Sequence, residues 1–262
     1  MLLNMIRTKY RRIISLAPSN TEILYALGLE ESIVGVTRFC DFPNDANSKK
    51  MVGGWIDVND DLVNSLHPDL ILTSTFVQDD ITKRYQDSDL NIVAVRPKTL
   101  DEVYDSIFQI GQLTGREDQA TILIEKMVNQ FDEIQDSLQY ATTKPRLYIE
   151  EWHKPPTVSG NWVPDIVAMA QTDYPLIKSG VYSTAVTTEQ LIEFDPEYII
   201  LSWCGFADQA SIETVKKRPG YDKLTAVKNN NIFVFNDSLL NRPGPRLVEA
   251  LRLLVKTVHP EV

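Results

Sequence analysis

The residues in this chain best suited to chemistry are aromatic rings placed in loops. Their chemistry is the capture of an apolar surface, not the making or breaking of bonds. Phe39 and Phe42 lie in Arg38-Phe-Cys-Asp-Phe-Pro43, Trp55 follows Gly53-Gly54, and Phe76 closes an apolar run. Trp152 and Trp162 flank Pro155-Pro156, and Trp203 and Phe206 follow Ser202. Rings in loops after strands build the apolar wall of a ligand crevice. Arg242 and Arg246 frame Pro243-Gly244-Pro245 ahead of the last helical pattern. Two cations at a helix start oppose its dipole, so they point to a nearby anion or carboxylate, either a ligand's or a neighbouring acid's.

Catalytic constellations are missing from the sequence. There is no glycine-rich dinucleotide fingerprint, no phosphate loop and no nucleophile elbow, so a binder is expected rather than an enzyme. His67, His153 and His259 stand apart with no second ligand at metal spacing, so neither a metal site nor a cofactor is expected. His67 and His259 read as solvated, whereas His153 sits in an aromatic Trp-His-Lys-Pro-Pro segment. Cys40 and Cys204 read as small buried or half-buried residues, and their spacing does not decide whether they pair.

The 26 basic residues are outnumbered by 36 acidic ones, a formal net charge of -10. That balance argues against nucleic acid and anionic lipid as partners, since both need a basic face. No apolar run is long enough to span a bilayer, so no direct membrane insertion is expected, and the chain reads as a monomer. The opening residues Met1 to Arg12 lack an export signal's uninterrupted apolar stretch, which on its own predicts a cytoplasmic location.

The elements that would position these residues alternate along the chain. Residues 13–16, 33–36, 70–73 and 91–95 read as buried strands, with helices over 21–27, 61–66 and 79–86. Ser19 with Glu22 resembles a capping box, and Gly28 is a natural helix stop. From residue 116 to 140 neither proline nor glycine occurs, and Ala120, Leu123, Met127, Phe131, Ile134 and Leu138 recur at helical spacing. One helix roughly 37 Å long is expected there, a spine between two lobes. Beyond it, strands at 146–151, 198–202 and 232–235 alternate with helices at 162–170, 188–194, 212–218 and 246–258. The fold class is therefore α/β: two Rossmann-like lobes with mostly parallel sheets, residues 1–115 and 142–262, joined by a helix over 116–141.

A repeat supports the two lobes. The segment from Asp61 to Leu72 can be laid over that from Glu189 to Ile200. In each, an acid opens a short helix seven residues before a proline (Pro68 and Pro196) and a strand follows.

With these residues in view, the sequence resembles the cobalamin-binding proteins of ABC importers, within the wider iron-siderophore and vitamin B12 substrate-binding family. The resemblance is carried by Arg12-Ile-Ile-Ser-Leu-Ala-Pro-Ser-Asn-Thr-Glu22, Leu27-Gly28, Val34-Gly-Val-Thr37 and Cys40-Asp-Phe-Pro43. Leu66-His-Pro-Asp-Leu70, Pro155-Pro-Thr-Val-Ser-Gly-Asn-Trp162 and Asn241-Arg-Pro-Gly-Pro-Arg-Leu-Val-Glu249 extend it over nearly the whole chain. It implies a corrinoid held in a cleft between the lobes and delivered to a permease, with a location in the periplasm or on the cell surface. Phe39 and Trp55 match the rings that hold the corrin in the first lobe. Family aromatics near Thr157 and Ser183 are absent here, and Trp162 and Tyr182 are expected to take their place. Asp61 and Glu189 match the acids that dock on the permease. A ferric siderophore or haem, or a cytoplasmic corrinoid binder, are the alternatives the sequence leaves open.

Overall fold

A computed structural model of the chain describes residues 10–86 and 90–261. The first nine residues, which include most of the segment read for an export signal, lie outside the described residues. Two compact units emerge. One comprises residues up to Pro97 together with Asp101–Lys126, the other Lys98–Leu100 together with Met127–Val262.

The first unit carries β1 (Ile13–Ser15), α1 (Pro18–Ala26), β2 (Ile33–Thr37), β3 (Met51–Gly53), α2 (Asp60–Ser65), β4 (Leu70–Thr73), α3 (Asp79–Gln86) and β5 (Ile92–Ala94). Its sheet is wholly parallel, in the order β3-β2-β1-β4-β5. Ile13, Ile14, Leu70, Ile71 and Leu72 are all fully buried, which is why these strands read as unbroken apolar runs: both faces of the sheet are covered. One face packs Ile14, Leu16, Val52, Val63 and Ile71 into a core closed by Ile81 and Tyr85.

Helix α1 differs from its sequence expectation. It opens at Pro18 with Ala17 as N-cap, and Ser19 lies inside the first turn without capping it. Proline wins the first helical position because its ring presets φ and its missing N–H costs nothing there. The buried hydroxyl of Thr21 and the amide of Asn20 bond instead to Ser15 Oγ and the Thr73 carbonyl, at 2.8 and 3.0 Å. At the far end Gly28 takes φ +69°, with bonds from Gly28 N to Tyr25 O and Leu29 N to Leu24 O that close a Schellman motif.

Two helices follow, α4 (Leu100–Thr114) and α5 (Glu117–Ser137). The long apolar spacing therefore gives a helix, but its last turn tightens to 3-10 geometry over Leu138–Tyr140. The boundary between the compact units falls within α5, after Lys126. Helix α4 has no counterpart in the sequence reading.

The second unit holds β6 (Leu147–His153), β7 (Pro156–Val158), α6 (Val163–Met169), β8 (Thr184–Ala185), α7 (Thr188–Phe194), β9 (Tyr198–Leu201), α8 (Ile212–Lys216), α9 (Thr225–Lys228), β10 (Ile232–Val234), α10 (Asp237–Leu240) and α11 (Leu247–Val258). Its sheet order is β10-β9-β6-β7-β8. The first three strands are parallel and β7 and β8 antiparallel, so Trp152 to Pro156 is a strand end and hairpin, not an open loop.

The repeat is physical. Helices α2 and α7 both end in a residue with left-handed φ, His67 at 45° and Asp195 at 48°, each followed by its proline. Ile13 pairs with Leu70 on one sheet and Leu147 with Tyr198 on the other. Arg12 and Arg146, each one residue before its strand, play the same part. Arg12 Nε donates to the Leu66 and His67 carbonyls at 3.1 and 3.0 Å, and Arg146 Nε to the Asp195 carbonyl at 2.7 Å. Each arginine thus satisfies carbonyls that its helix leaves open at the C-terminus.

Two further expectations change. His259 is fully buried, its Nε2 2.9 Å from the Ala170 carbonyl, because the end of α11 packs it beneath α6. Cys204 is exposed rather than half-buried, whereas Cys40 is buried as expected, and the two do not form a disulfide.

Candidate ligand-binding site

In a parallel sheet every strand ends on one edge, and the loops leaving that edge form the crevice where ligands bind. On the first unit that edge carries exposed apolar side chains from three successive loops. Phe39 and Phe42 follow β2, Ile56 and the half-buried Trp55 follow β3, and Phe76 and Val77 follow β4. Ile56 and Phe76 are more than half exposed, at 61% and 55%. Large apolar groups held in water on one edge are what an apolar ligand would cover. The Phe39 and Trp55 rings meet edge to face, with centroids 6.5 Å apart, and the Arg38 guanidinium lies 5.6 Å from the Phe39 centroid while pairing with Asp57.

Two residues hold these loops. Gly53 has φ +144°, and a Cβ there would stand 2.2 Å from the Asp57 carbonyl oxygen, so only glycine permits the turn that presents Trp55. Gln78, fully buried, was not singled out in the sequence. Its amide nitrogen donates to the Leu16 and Trp55 carbonyls at 2.7 and 3.1 Å, and its oxygen accepts from Ser74 N at 2.8 Å. One side chain thus joins the loops that follow β1, β3 and β4.

On the second unit the ends of β6 and β9 bring Trp152, His153, Trp203 and Phe206 into one cluster. Ring centroids lie 4.7 Å apart for His153–Trp203, 4.9 Å for Trp152–His153 and 5.6 Å for Trp203–Phe206. Trp152 is 39% exposed and Trp203 is buried, so the cluster has a wet rim and a dry base. Beneath it lies Glu150, fully buried. Arg218 grips both its carboxylate oxygens at 2.6 and 2.9 Å, Trp203 Nε1 donates at 2.8 Å and the Tyr148 hydroxyl at 3.0 Å. Burial works against the Arg218 charge, but bonding to Glu150 outweighs it and holds the guanidinium charged.

The remaining residues expected in the site fall differently. Trp162 is a core residue, 8% exposed, with its Nε1 donating to the Leu240 carbonyl at 2.8 Å. Its one ring donor is therefore spent within the unit. Tyr182 is exposed, with the Lys98 ammonium 4.7 Å from its ring centroid. Arg242 and Arg246 are half-buried, and Arg246 is the N-cap residue of α11.

Asp61 and Glu189 occupy matching second positions of α2 and α7, and both are exposed. Asp60 beside Asp61 is engaged by Arg84 and Tyr85, whereas no cation pairs with Asp61 or Glu189 among the described residues. The Glu189 backbone N–H and the Thr187 hydroxyl hold the Glu189 carboxyl below its usual range, so it is charged at neutral pH. No group of acids, histidines and cysteines fit to hold a metal occurs among the described residues, and no helix there is long and apolar enough to cross a membrane.

A model of the periplasmic binding protein family matches residues 13–239. The chain belongs to that family. An ABC transporter substrate-binding lipoprotein of Bacillus subtilis, YvrC, itself uncharacterized, is 28% identical over 98% of this chain and 82% of its own length. A vitamin B12-binding protein of Vibrio cholerae is 28% identical over 92% of this chain and 86% of its own. Among solved structures, a possible iron-binding, periplasmic solute-binding protein from Staphylococcus epidermidis is 33% identical, with a TM-score of 0.82, covering 96% of this chain and 99% of that one. As a member of the periplasmic binding protein family, this chain is a substrate-binding protein and not an enzyme.

Proposed function

We propose that this protein captures a corrinoid such as vitamin B12 and delivers it to the permease of an ABC importer, outside the inner membrane. The observation that carries this reading is the grouping of the exposed Phe39, Phe42 and Phe76 at the carboxyl edge of the first sheet, with the half-buried Trp55 in contact with Phe39. A corrin is a broad, largely apolar macrocycle, and rings at that edge supply the matching surface. The vitamin B12-binding relatives lend the ligand class. Trp152 and Phe206 are the ligand contacts proposed on the second unit, together with Tyr182, Arg242 and Arg246. The relatives named for substrate binding and periplasmic location support export and give no support to a cytoplasmic role.

Cyanocobalamin added at micromolar concentration or below is expected to quench tryptophan fluorescence saturably, and Trp55→Ala to weaken binding at least about tenfold. A flat titration would end the corrinoid reading. A second reading, a ferric siderophore or haem in the same place, is favoured by the Staphylococcus epidermidis relative. Tighter binding of haemin or a ferric hydroxamate than of cyanocobalamin in one calorimetric series would establish it.

Asp61 and Glu189 are the proposed docking acids for permease arginines. Reversing both, Asp61→Lys with Glu189→Lys, is expected to leave cobalamin affinity within about twofold while abolishing ATP-driven uptake in cells lacking their own binding protein. Unchanged uptake would remove these two acids from the interface.

A further inference from the structure

Glu151, next to the braced Glu150, has no role in the site described above. Glu151 is the extra residue where the β6–β7 ladder shifts register between Glu150 and Trp152, and its carboxyl meets Ser183 while that of Glu150 meets Arg218. The Ser183 hydroxyl donates to its Oε2 and accepts in turn from Gly160 N at 2.9 Å. No hydrogen bond from the described residues reaches Oε1, and no cation pairs with this carboxyl. Neither neighbour offsets its charge: Tyr174 and Cys204 both feel it. Ser202, just past β9, donates its N–H to the Glu150 carbonyl at 2.9 Å; it is fully buried and its Oγ has no partner. Asn241 donates to the Ser202 carbonyl at 2.9 Å and leaves its own Oδ1 unpartnered. The region where β6 and β9 end thus holds a carboxyl with one open oxygen and two buried oxygens that lack partners.

Buried acceptors without donors are costly unless a ligand or water supplies them. The group that fits is a neutral one rich in N–H donors. A corrin bears primary carboxamides around its edge, whereas haem presents carboxylates at the same periphery. A carboxylate brought against Glu151 would meet like charge in a desolvated place, where such juxtaposition is most costly. Burial raises the Glu151 carboxyl and the Ser183 bond opposes that rise.

We propose that Glu151, oriented by Ser183, selects the ligand by pairing with a peripheral carboxamide of a corrinoid, and that it excludes carboxylate-bearing tetrapyrroles. The assignment rests on the corrinoid reading and adds the residue that discriminates. The test compares cyanocobalamin, its derivatives with one carboxamide hydrolysed to the acid, and haemin, on the wild-type protein and Glu151→Gln. The wild type is expected to bind at least one mono-acid derivative about tenfold more weakly than cyanocobalamin, because a site built for an N–H donor is left unpaired by its loss. Glu151→Gln, which keeps shape and loses charge, is expected to shrink that ratio below about threefold and to strengthen haemin binding. Ser183→Ala, a second variant that leaves the carboxyl in place, is expected to weaken cyanocobalamin binding while keeping the preference for amide over acid. An unchanged ratio in a Glu151→Gln protein that still binds cyanocobalamin tightly overturns the Glu151 assignment alone. Absence of cyanocobalamin binding by the wild type overturns the corrinoid reading and the assignment with it.

Discussion

Arg218→Ala is expected to be the most destabilising single substitution in the second unit, lowering stability by about 3–5 kcal/mol. The Arg218 side chain is 14% exposed and its partner Glu150 is 0% exposed, so removal of the guanidinium leaves a buried carboxylate without its countercharge. Trp203 Nε1 and the Tyr148 hydroxyl would still donate to Glu150, but neither carries charge. Arg218 also donates to the His153 carbonyl at 3.1 Å, so its loss frees the strand end that carries Trp152 and His153. Urea titration followed by tryptophan fluorescence checks the stability, and cobalamin titration of the folded fraction checks the rim. The paired replacement Arg218→Met with Glu150→Leu is expected to recover only part of the loss, since it removes the unpaired carboxylate but leaves the buried Trp203 Nε1 and Tyr148 hydroxyl without their acceptor. A loss below about 1 kcal/mol for Arg218→Ala would mean that water reaches Glu150 and that the brace does not hold the aromatic cluster.

How far the sequence discloses this arrangement depends on the range of the forces involved. Alternating apolar runs and the 116–140 spacing are local, and they yield the α/β class, the first parallel sheet and the long helix. The likeness between the Asp61 and Glu189 segments is local as well, and the matched left-handed residues His67 and Asp195 show that it extends to the backbone. Residues Val103, Ile107, Ile110 and Thr114 of α4 recur at helical spacing and are buried, so this helix too has a local signal. Strands β7 and β8 are another matter. With three and two residues they have no periodicity, and they exist only because β6 offers them an edge.

The site divides in the same way. Exposed rings in loops are visible from the sequence, because nothing else explains so many aromatics near turns. Their status as rim or core is not. Trp162 becomes core because its Nε1 finds Leu240, 78 residues onward, and His259 is buried by a carbonyl 89 residues away. Glu150 and Glu151 look alike as neighbouring acids. One meets an arginine 68 residues on and the other, where the β6–β7 ladder shifts register, a serine 32 residues on, and their chemistry parts there.

Gln78→Ala is expected to act on the first unit as Arg218→Ala does on the second. Gln78 spends both ends of its amide on main-chain groups: two carbonyls, of Leu16 and Trp55, and one N–H, of Ser74. Truncation leaves these groups buried without partners at about 1–3 kcal/mol each, less whatever an entering water recovers. The loops bearing Trp55 and Phe76 would then lose their common anchor, so cobalamin affinity is expected to fall about tenfold or more along with the melting temperature. Gln78→Glu separates anchoring from packing. It has nearly the same shape and keeps an acceptor for Ser74 N, yet it sets a carboxylate oxygen against two carbonyl oxygens. It is therefore expected to be at least as damaging as Gln78→Ala in a thermal melt at neutral pH. It should improve as the pH is lowered, because a protonated carboxyl can donate to one of the two carbonyls. A Gln78→Glu protein as stable as wild type at neutral pH would show that the three loops are held by their own packing and that the amide merely fills the space between them.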